Sequence, residues 1–240
     1  MATSDLWQSA PSAPASSTQW AAEVPAGTQV PDALSRAKGI SLSGLALKRG
    51  VDVVFSAMTM VLLFPVFLMI ALAIKLDSPG PALYISERIG KNGRVFRCFK
   101  FRTMVREAEE KLAALLPRNE RDAVLFKVTH DPRVTGFGHI LRRYSLDELP
   151  QFFNVLRGEM SVVGPRPPVA SEVREYSHSH LRRLEVLPGI TGLWQVQGRH
   201  DASFDSYVSL DVTYIENWSL ALDLKIMART LGVVLSGTGT

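Results

Sequence analysis

The sequence predicts an α+β chain. A membrane-embedded helix broken at Pro65 leads into a small, mostly helical domain that carries a short β-hairpin and interfacial amphipathic helices. Three observations predict this. Val53–Ile74 contains no charged residue, yet Pro65 interrupts it. Tyr84-Ile85 and Val95–Phe101 are strand-like runs on either side of a Gly90–Gly93 turn. Most of the chain beyond Phe101 falls into helical-period stretches punctuated by glycine and proline. At 240 residues the chain is long enough for one domain with a sizeable core.

Taken in order, residues 1–40 are rich in Ala, Ser, Pro and Thr and show no apolar period, so they read as a disordered tail. Trp7 and Trp20 are its only large aromatic features. The membrane element, residues 45–76, has about the ~20 apolar residues that a span requires. Lys48 and Arg49 precede it, and Lys75, Arg88, Lys91, Arg94, Arg97 and Lys100 follow. Basic residues favour the cytoplasmic side, so basic flanks at both ends suit a helix that enters one leaflet and returns. A straight span kinked at Pro65 and a buried core helix satisfy the hydropathy as well. The carbonyl freed at Pro65 needs a donor, for which Ser56 and Thr59 are candidates. Asp52 sits three residues after Arg49, at pairing distance on one helical face.

Residues 77–240 read as the cytoplasmic domain. SPGP at Ser78–Pro81 reads as a turn. Lys100 and Arg102 alternate with Phe99 and Phe101, which puts both cations on one strand face. Arg106–Leu116 reads as an amphipathic helix stopped by Pro117, and Val169–Val186 as helical. PGITGLWQVQGR at Pro188–Arg199 reads as a loop, with Trp194 available for stacking or the interface. Asp205–Ile215 and Leu220–Leu235 read as helices, the second ending near Gly237.

The chemistry concentrates in Leu141–Pro168, LRRYSLDELPQFFNVLRGEMSVVGPRPP. Arg142 and Arg143 precede the adjacent carboxylates Asp147 and Glu148. Leu149, Phe152, Phe153 and Leu156 then share a helical face, with Gly158 as C-cap. Ser145 as N-cap would place Pro150 fifth in the helix, at the cost of a hydrogen bond. Asp147 as N-cap places it third, where no partner is lost, and is preferred. Either way the carboxylates meet the positive end of a helix dipole, which keeps Asp147 ionised and attracts phosphate. Acidic residues in a first turn are usually only caps. Arg142, Arg143 and Arg166 around them suggest instead a phosphate-handling site with a nucleophilic carboxylate.

This stretch resembles the signature of the bacterial sugar transferases that act on polyprenyl phosphate, the monotopic phosphoglycosyl transferases. LKRGVD at Leu47–Asp52, SPGPALY at Ser78–Tyr84, ERIGKNGRVF at Glu87–Phe96, KFRTM at Lys100–Met104, DPRVT at Asp131–Thr135, PGITGLWQVQGR and NWSLALDLKI at Asn217–Ile226 extend the likeness to the chain's end. The resemblance favours the re-entrant helix. It implies transfer of a hexose-1-phosphate (glucose or galactose) from a UDP-sugar to undecaprenyl phosphate at the inner membrane, with release of UMP. Asp147 would be the nucleophile that forms a covalent phosphosugar intermediate. Asp147 and Glu148 would hold Mg²⁺. Arg142, Arg166, Lys100, Arg102, Arg133, Arg199 and Asp223 would contact phosphate or substrate. The implied partners are the UDP-sugar, undecaprenyl phosphate, membrane lipids and a second copy in a homo-oligomer. A Mg²⁺-dependent UDP-sugar pyrophosphohydrolase and a non-catalytic membrane scaffold are the alternatives.

Composition narrows the classes. Net charge is +4, a modest basicity that suits nucleotide, lipid phosphate or membrane surface. No nucleic-acid motif, Walker loop or GxGxxG after a strand occurs. The single cysteine, Cys98, excludes an internal disulfide and reads as packed. His178 and His180 lie two apart, on different helical faces, which argues against a metal site there.

Overall fold

A computed structural model describes residues 42–120, 128–198 and 203–237. The expected tail, with Trp7 and Trp20, lies outside the described residues. Helix α1 (Leu42–Leu62) passes into α2 (Phe64–Asp77) across Leu63, with Pro65 in the first turn of α2, and the two are bent by 62°. Together they have the length and apolar composition of a span; among the described residues no single helix is long and apolar enough to cross a membrane. The bend has a local cause. Proline cannot donate to the carbonyl one turn back and its ring crowds it, so the first helix ends there and a new one begins. Ser56 does not supply the donor expected of it: its hydroxyl is buried without a hydrogen-bond partner.

The polarity of α1 is inverted relative to a water-soluble helix. Lys48, Asp52 and Ser56 form its buried stripe, at helical spacing. Val54, Met58, Val61 and Leu62 are exposed, as are Phe64, Leu68, Met69, Leu72 and Leu76 of α2. A contiguous apolar surface of that extent is unfavourable in water and natural in lipid. Asp52 does not pair with Arg49. It accepts from Ser161 Oγ (2.8 Å) and the Val162 N–H (3.0 Å), while Arg49 donates to Leu156 O (3.2 Å).

The expected hairpin is present and longer than its strand-like runs. Strand β1 (Leu83–Ile89) pairs antiparallel with β2 (Val95–Phe101) through a 3₁₀ turn at Lys91–Gly93. Asn92 takes φ 56° there, a left-handed conformation that asparagine tolerates. Residues 106–111 are turns rather than helix; only α3 (Leu112–Leu115) and a 3₁₀ turn at Leu116–Arg118 remain of the expected amphipathic helix. Helix α4 (Gly136–Arg143) is capped by the Thr135 hydroxyl, which accepts from the Gly138 N–H. A 3₁₀ turn at Leu146–Glu148 leads into α5 (Gln151–Arg157), closed by Gly158 at φ 81°.

Beyond α5 the fold departs from the loop and helix expectations. Strand β3 (Ser161–Val163) pairs in parallel with β4 (Gly189–Thr191), so the start of PGITGLWQVQGR is a strand. Helix α6 (Ala170–Arg174) and a 3₁₀ run at His180–Glu185 replace the continuous helix expected over 169–186. Helix α7 (Leu193–Gln197) carries Trp194, whose ring is buried edge-on to Tyr207 at 4.5 Å instead of facing a base or the membrane. Helices α8 (Phe204–Glu216) and α9 (Leu220–Ser236) match expectation and are capped by Ser203 and Ser219.

The main core joins Phe96 and Cys98 of β2, Phe152 and Val155 of α5, Val162 and Val163 of β3, and Tyr214 and Ile226, with Phe55 and Met60 of α1 packed against it. Buried Asn154 fixes α5 to the hairpin edge. Its Oδ1 accepts from the Phe99 N–H (3.1 Å) and its Nδ2 donates to Arg97 O (2.6 Å), replacing a strand partner. This lays the carboxylate turn across the open end of the hairpin.

Candidate active site

Asp147 and Glu148 lie inside the 3₁₀ turn, ahead of α5, so neither Ser145 nor Asp147 is the helix N-cap that the sequence suggested. Ser145 instead adopts φ 53°, a left-handed conformation that is costly for serine. This sharp reversal between α4 and the turn brings Asp147 back within electrostatic reach of Arg142. Strain concentrated beside two carboxylates is a frequent mark of a functional site.

Lys100 reaches the turn from β2 and donates to Glu148 Oε1 at 2.7 Å. Arg142 lies within electrostatic reach of Asp147 and donates through Nε to Thr103 Oγ1 at 3.0 Å. The Asp147 carboxyl is pushed up to about 6, chiefly by burial and further by Glu148, against the pull of Lys100 and Arg142. The dipole expectation was the reverse. Dehydration outweighs it because a single 3₁₀ turn offers little dipole. Asp147 is nonetheless largely ionised at neutral pH and is under-solvated, the condition of a reactive carboxylate. Burial also lowers Arg142, opposed by Asp147 and Asp131.

The hairpin register adds residues that single-strand reasoning did not reach. Tyr84 faces Lys100 across the ladder, Ser86 faces Cys98 and Arg88 faces Phe96, all on one side. Cys98 is fully buried, and its thiol is pushed up by burial while sensing Lys100, Arg88, Glu148 and Arg166. Arg88 and Arg166 therefore lie within electrostatic reach of Cys98, whose strand face also carries Lys100. Arg88 donates to Pro167 O (3.2 Å), and Arg166 donates to both oxygens of Glu172 (3.2 Å each). Behind them Arg183 donates to Asp211 (2.8 Å) and to the hydroxyls of Tyr176 and Tyr207. Arg88 stood within ERIGKNGRVF, but only the strand pairing shows which way it faces.

Three expected site residues are engaged elsewhere. Strand β2 ends at Phe101, so Arg102 leaves the face of Lys100 and caps α2, donating to Ser78 O (2.6 Å), Ser78 Oγ (3.0 Å) and Pro79 O (3.0 Å). Gly80 makes room for it: at φ 126°, a Cβ there would stand 2.1 Å from Arg102 Nη1. Arg133 is buried against Asp131, with Nη2–Oδ2 at 2.7 Å, and also donates to Ala108 O (3.3 Å). Asp223 accepts from Lys48 (2.7 Å), Tyr214 (2.8 Å) and Trp218 (3.1 Å), which ties α9 to α1. Arg199 lies outside the described residues.

Among the described residues no group of three or more His, Cys, Asp and Glu side chains is arranged to hold a metal. A Mg²⁺ ion bound through one or two carboxylates and substrate phosphates needs no such group. Adjacent carboxylates, one of them raised toward 6, fit that mode, because a cation would offset their mutual repulsion.

The family model described as "Bacterial sugar transferase" matches residues 43–237. The chain is similar to the galactosyl transferase CpsE of Streptococcus agalactiae, 45% identical over 198 residues that cover 82% of this chain and 44% of the relative. It is 42% identical over 203 residues to the exopolysaccharide production protein ExoY of Rhizobium meliloti, covering 83% of this chain and 89% of that protein. It is 39% identical over 200 residues to the UDP-glucose:undecaprenyl-phosphate glucose-1-phosphate transferase of Escherichia coli, covering 79% and 41%. The chain thus spans under half of CpsE and the Escherichia coli enzyme and most of ExoY. With a family model that matches it from α1 to the end of α9, the chain belongs to the bacterial sugar transferase family.

Proposed function

We propose that the protein transfers a hexose-1-phosphate from a UDP-sugar to undecaprenyl phosphate at the cytoplasmic face of the bacterial inner membrane, so beginning a polysaccharide repeat unit. The observation that carries this reading is the placement of an under-solvated aspartate, Asp147, among Glu148, Lys100 and Arg142 on a domain joined to a bent apolar helix pair. Relatives named for galactose and glucose transfer to undecaprenyl phosphate support a hexose donor.

In the proposed reaction Asp147 Oδ attacks the sugar-proximal phosphorus of the donor. The bond from that phosphorus to the bridging oxygen breaks, and UMP leaves with the oxygen and the electron pair. The phosphosugar is then held as an acyl phosphate on Asp147. A phosphate oxygen of undecaprenyl phosphate attacks the same phosphorus, displaces the carboxylate and gives the polyprenyl-diphospho-sugar. Lys100, Arg142 and Arg166 would offset charge on the equatorial oxygens of the transferred phosphate, and Arg199 would contact the nucleotide phosphate. Asp147 and Glu148 would hold Mg²⁺, which supplies further charge neutralisation on the diphosphate. In this reading α1 and α2 enter one leaflet and return. The inverted stripe of α1, polar toward the protein and apolar outward, supports burial in lipid, and the basic flanks at both ends support return to the same side.

The test is UMP release by the purified protein with Mg²⁺ from a panel of UDP-sugars, with and without undecaprenyl phosphate. Lipid-dependent release, with labelled sugar moving to the organic phase, is expected. Lipid-independent release of sugar phosphate would instead make the protein a hydrolase, and no release with any donor would leave only a scaffold.

A further inference from the structure

The segment Pro165–Pro168 that carries Arg166 cannot hold itself in place. Of Pro165, Arg166, Pro167 and Pro168, only Arg166 has a backbone N–H, so the segment offers four carbonyls and one donor. All four carbonyls nevertheless meet a donor. Pro165 O accepts from the Gly189 N–H (2.8 Å) and Pro168 O from the Ile89 N–H (2.9 Å). Between them, Arg166 O accepts from Arg183 Nη2 (3.2 Å) and Pro167 O from Arg88 Nη1 (3.2 Å). Three elements thus converge on the segment: the start of β4, the 3₁₀ run at His180–Glu185 and the end of β1.

The two arginines are themselves fixed from behind. The Arg183 side chain is fully buried. Its Nε donates to Asp211 Oδ2 (2.8 Å), its Nη1 and Nη2 donate to the hydroxyls of Tyr176 and Tyr207, and its guanidinium stacks 4.1 Å from the centre of the Tyr207 ring. Burying an ion pair is costly, and well-packed apolar residues would serve a core as well. The contact that Arg183 makes beyond this cage is the carbonyl of Arg166. Arg88 is half-buried on β1 and also donates to Ser86 Oγ (3.4 Å). Arg166 turns Nη1 to both oxygens of Glu172 (3.2 Å each) and keeps 33% of its side chain exposed. Its charge is thus presented outward from a backbone gripped on both sides.

We propose that Arg88 and Arg183 are positioning residues for Arg166: they grip the carbonyls of Pro167 and of Arg166 itself, and so set where the Arg166 guanidinium meets the transferred phosphate. The inference rests on the transferase reading for the role of Arg166, and goes beyond it by assigning two arginines that act without touching the substrate. A displacement of ~1 Å in a phosphate-binding group can cost up to ~100-fold in rate.

The test is a double-mutant cycle on the full chain in detergent. Arg183→Lys keeps the charge beside Asp211 but lacks the fork that reaches Arg166 O. Arg88→Gln, at a half-buried site, decides the matter if Arg183→Lys fails to fold. Each is made alone and in the Arg166→Gln background, and read as kcat/KM for UMP release and as the dissociation constants of UDP and UMP. UDP carries the second phosphate that Arg166 is assigned to hold, and UMP lacks it. The expected result is a loss of about tenfold in kcat/KM and in UDP affinity for each variant alone, less than about twofold in the Arg166→Gln background, and an unchanged UMP affinity throughout. Equal losses in both backgrounds, or UMP affinity falling in step with that of UDP, overturns the proposal. If wild type binds UDP more tightly than UMP but releases no UMP from any UDP-sugar, the transferase reading fails and the binding cycle alone decides the positioning role. Wild type that binds UDP no more tightly than UMP overturns the positioning role as well.

Discussion

Replacing Asp147 with asparagine should destroy turnover and stabilise the fold, and the two effects have one cause. The carboxyl is raised from 3.8 to about 6, chiefly because burial strips water from its charge. At 1.36 kcal/mol per unit, the folded protein at neutral pH carries up to ~3 kcal/mol of penalty for keeping that charge, and partial solvent contact reduces this to ~1.5–3 kcal/mol. The sign comes from linkage. A carboxyl raised in the folded state binds more protons folded than unfolded between pH ~4 and ~6, so its penalty is absent below ~4 and complete above ~6. Asparagine never ionises. Differential scanning fluorimetry in detergent should therefore show Asp147→Asn melting ~3–12 °C above wild type at pH 7.5, at ~2–4 °C per kcal/mol. The gap should close as pH falls to 4. Mg²⁺ should raise the melting point of wild type more than that of the variant, because the ion relieves the same repulsion. Equal melting at pH 7.5, or an undiminished gap at pH 4, would falsify the assignment of Asp147 as an under-solvated carboxylate. Substantial residual UMP release by the variant would remove it as nucleophile.

Three further outcomes are expected. Lys100→Met removes a cation that lowers Asp147, so the acidic limb of kcat/KM against pH should move upward; an unmoved limb means Lys100 acts on Glu148 alone. Lys48→Met leaves the buried Asp223 without its cation and should cost ~3 kcal/mol, read as a lower melting temperature, with Tyr214 and Trp218 limiting the loss. Gly189→Ala would place a Cβ 2.1 Å from the Gly164 backbone nitrogen, so it should separate β3 from β4 and cost ~1–3 kcal/mol or more; a variant that melts like wild type would show that the strands can part without strain.

Much of the candidate site was legible because it is local. Arg142, Asp147 and Glu148 fall within seven residues, so almost any compact path from α4 to α5 keeps them together. Lys100 was recognisable as a cation on a strand next to an apolar alternation. Its neighbour by the same alternation, Arg102, was not placed correctly, because the alternation ends where β2 ends, at Phe101. Arg133, expected to contact phosphate, is held in a buried bidentate pair with Asp131 that DPRVT by itself did not announce.

What the sequence determined by itself was what chain-local physics dictates. Pro65 dictated the break between α1 and α2, the Gly90–Gly93 segment dictated a hairpin, and Gly237 marked the end of the last helix. The tertiary structure alone decided what depends on distant partners. It turned Lys48 and Asp52 inward onto Asp223 and Ser161, opposite the exposed apolar surface of the same helix. It paired β3 with β4, although each is only three residues long and β4 opens on a glycine, too little to announce a parallel ladder. It also set the protonation of Asp147, because dehydration is a property of everything packed around a carboxyl and not of its neighbours in the chain.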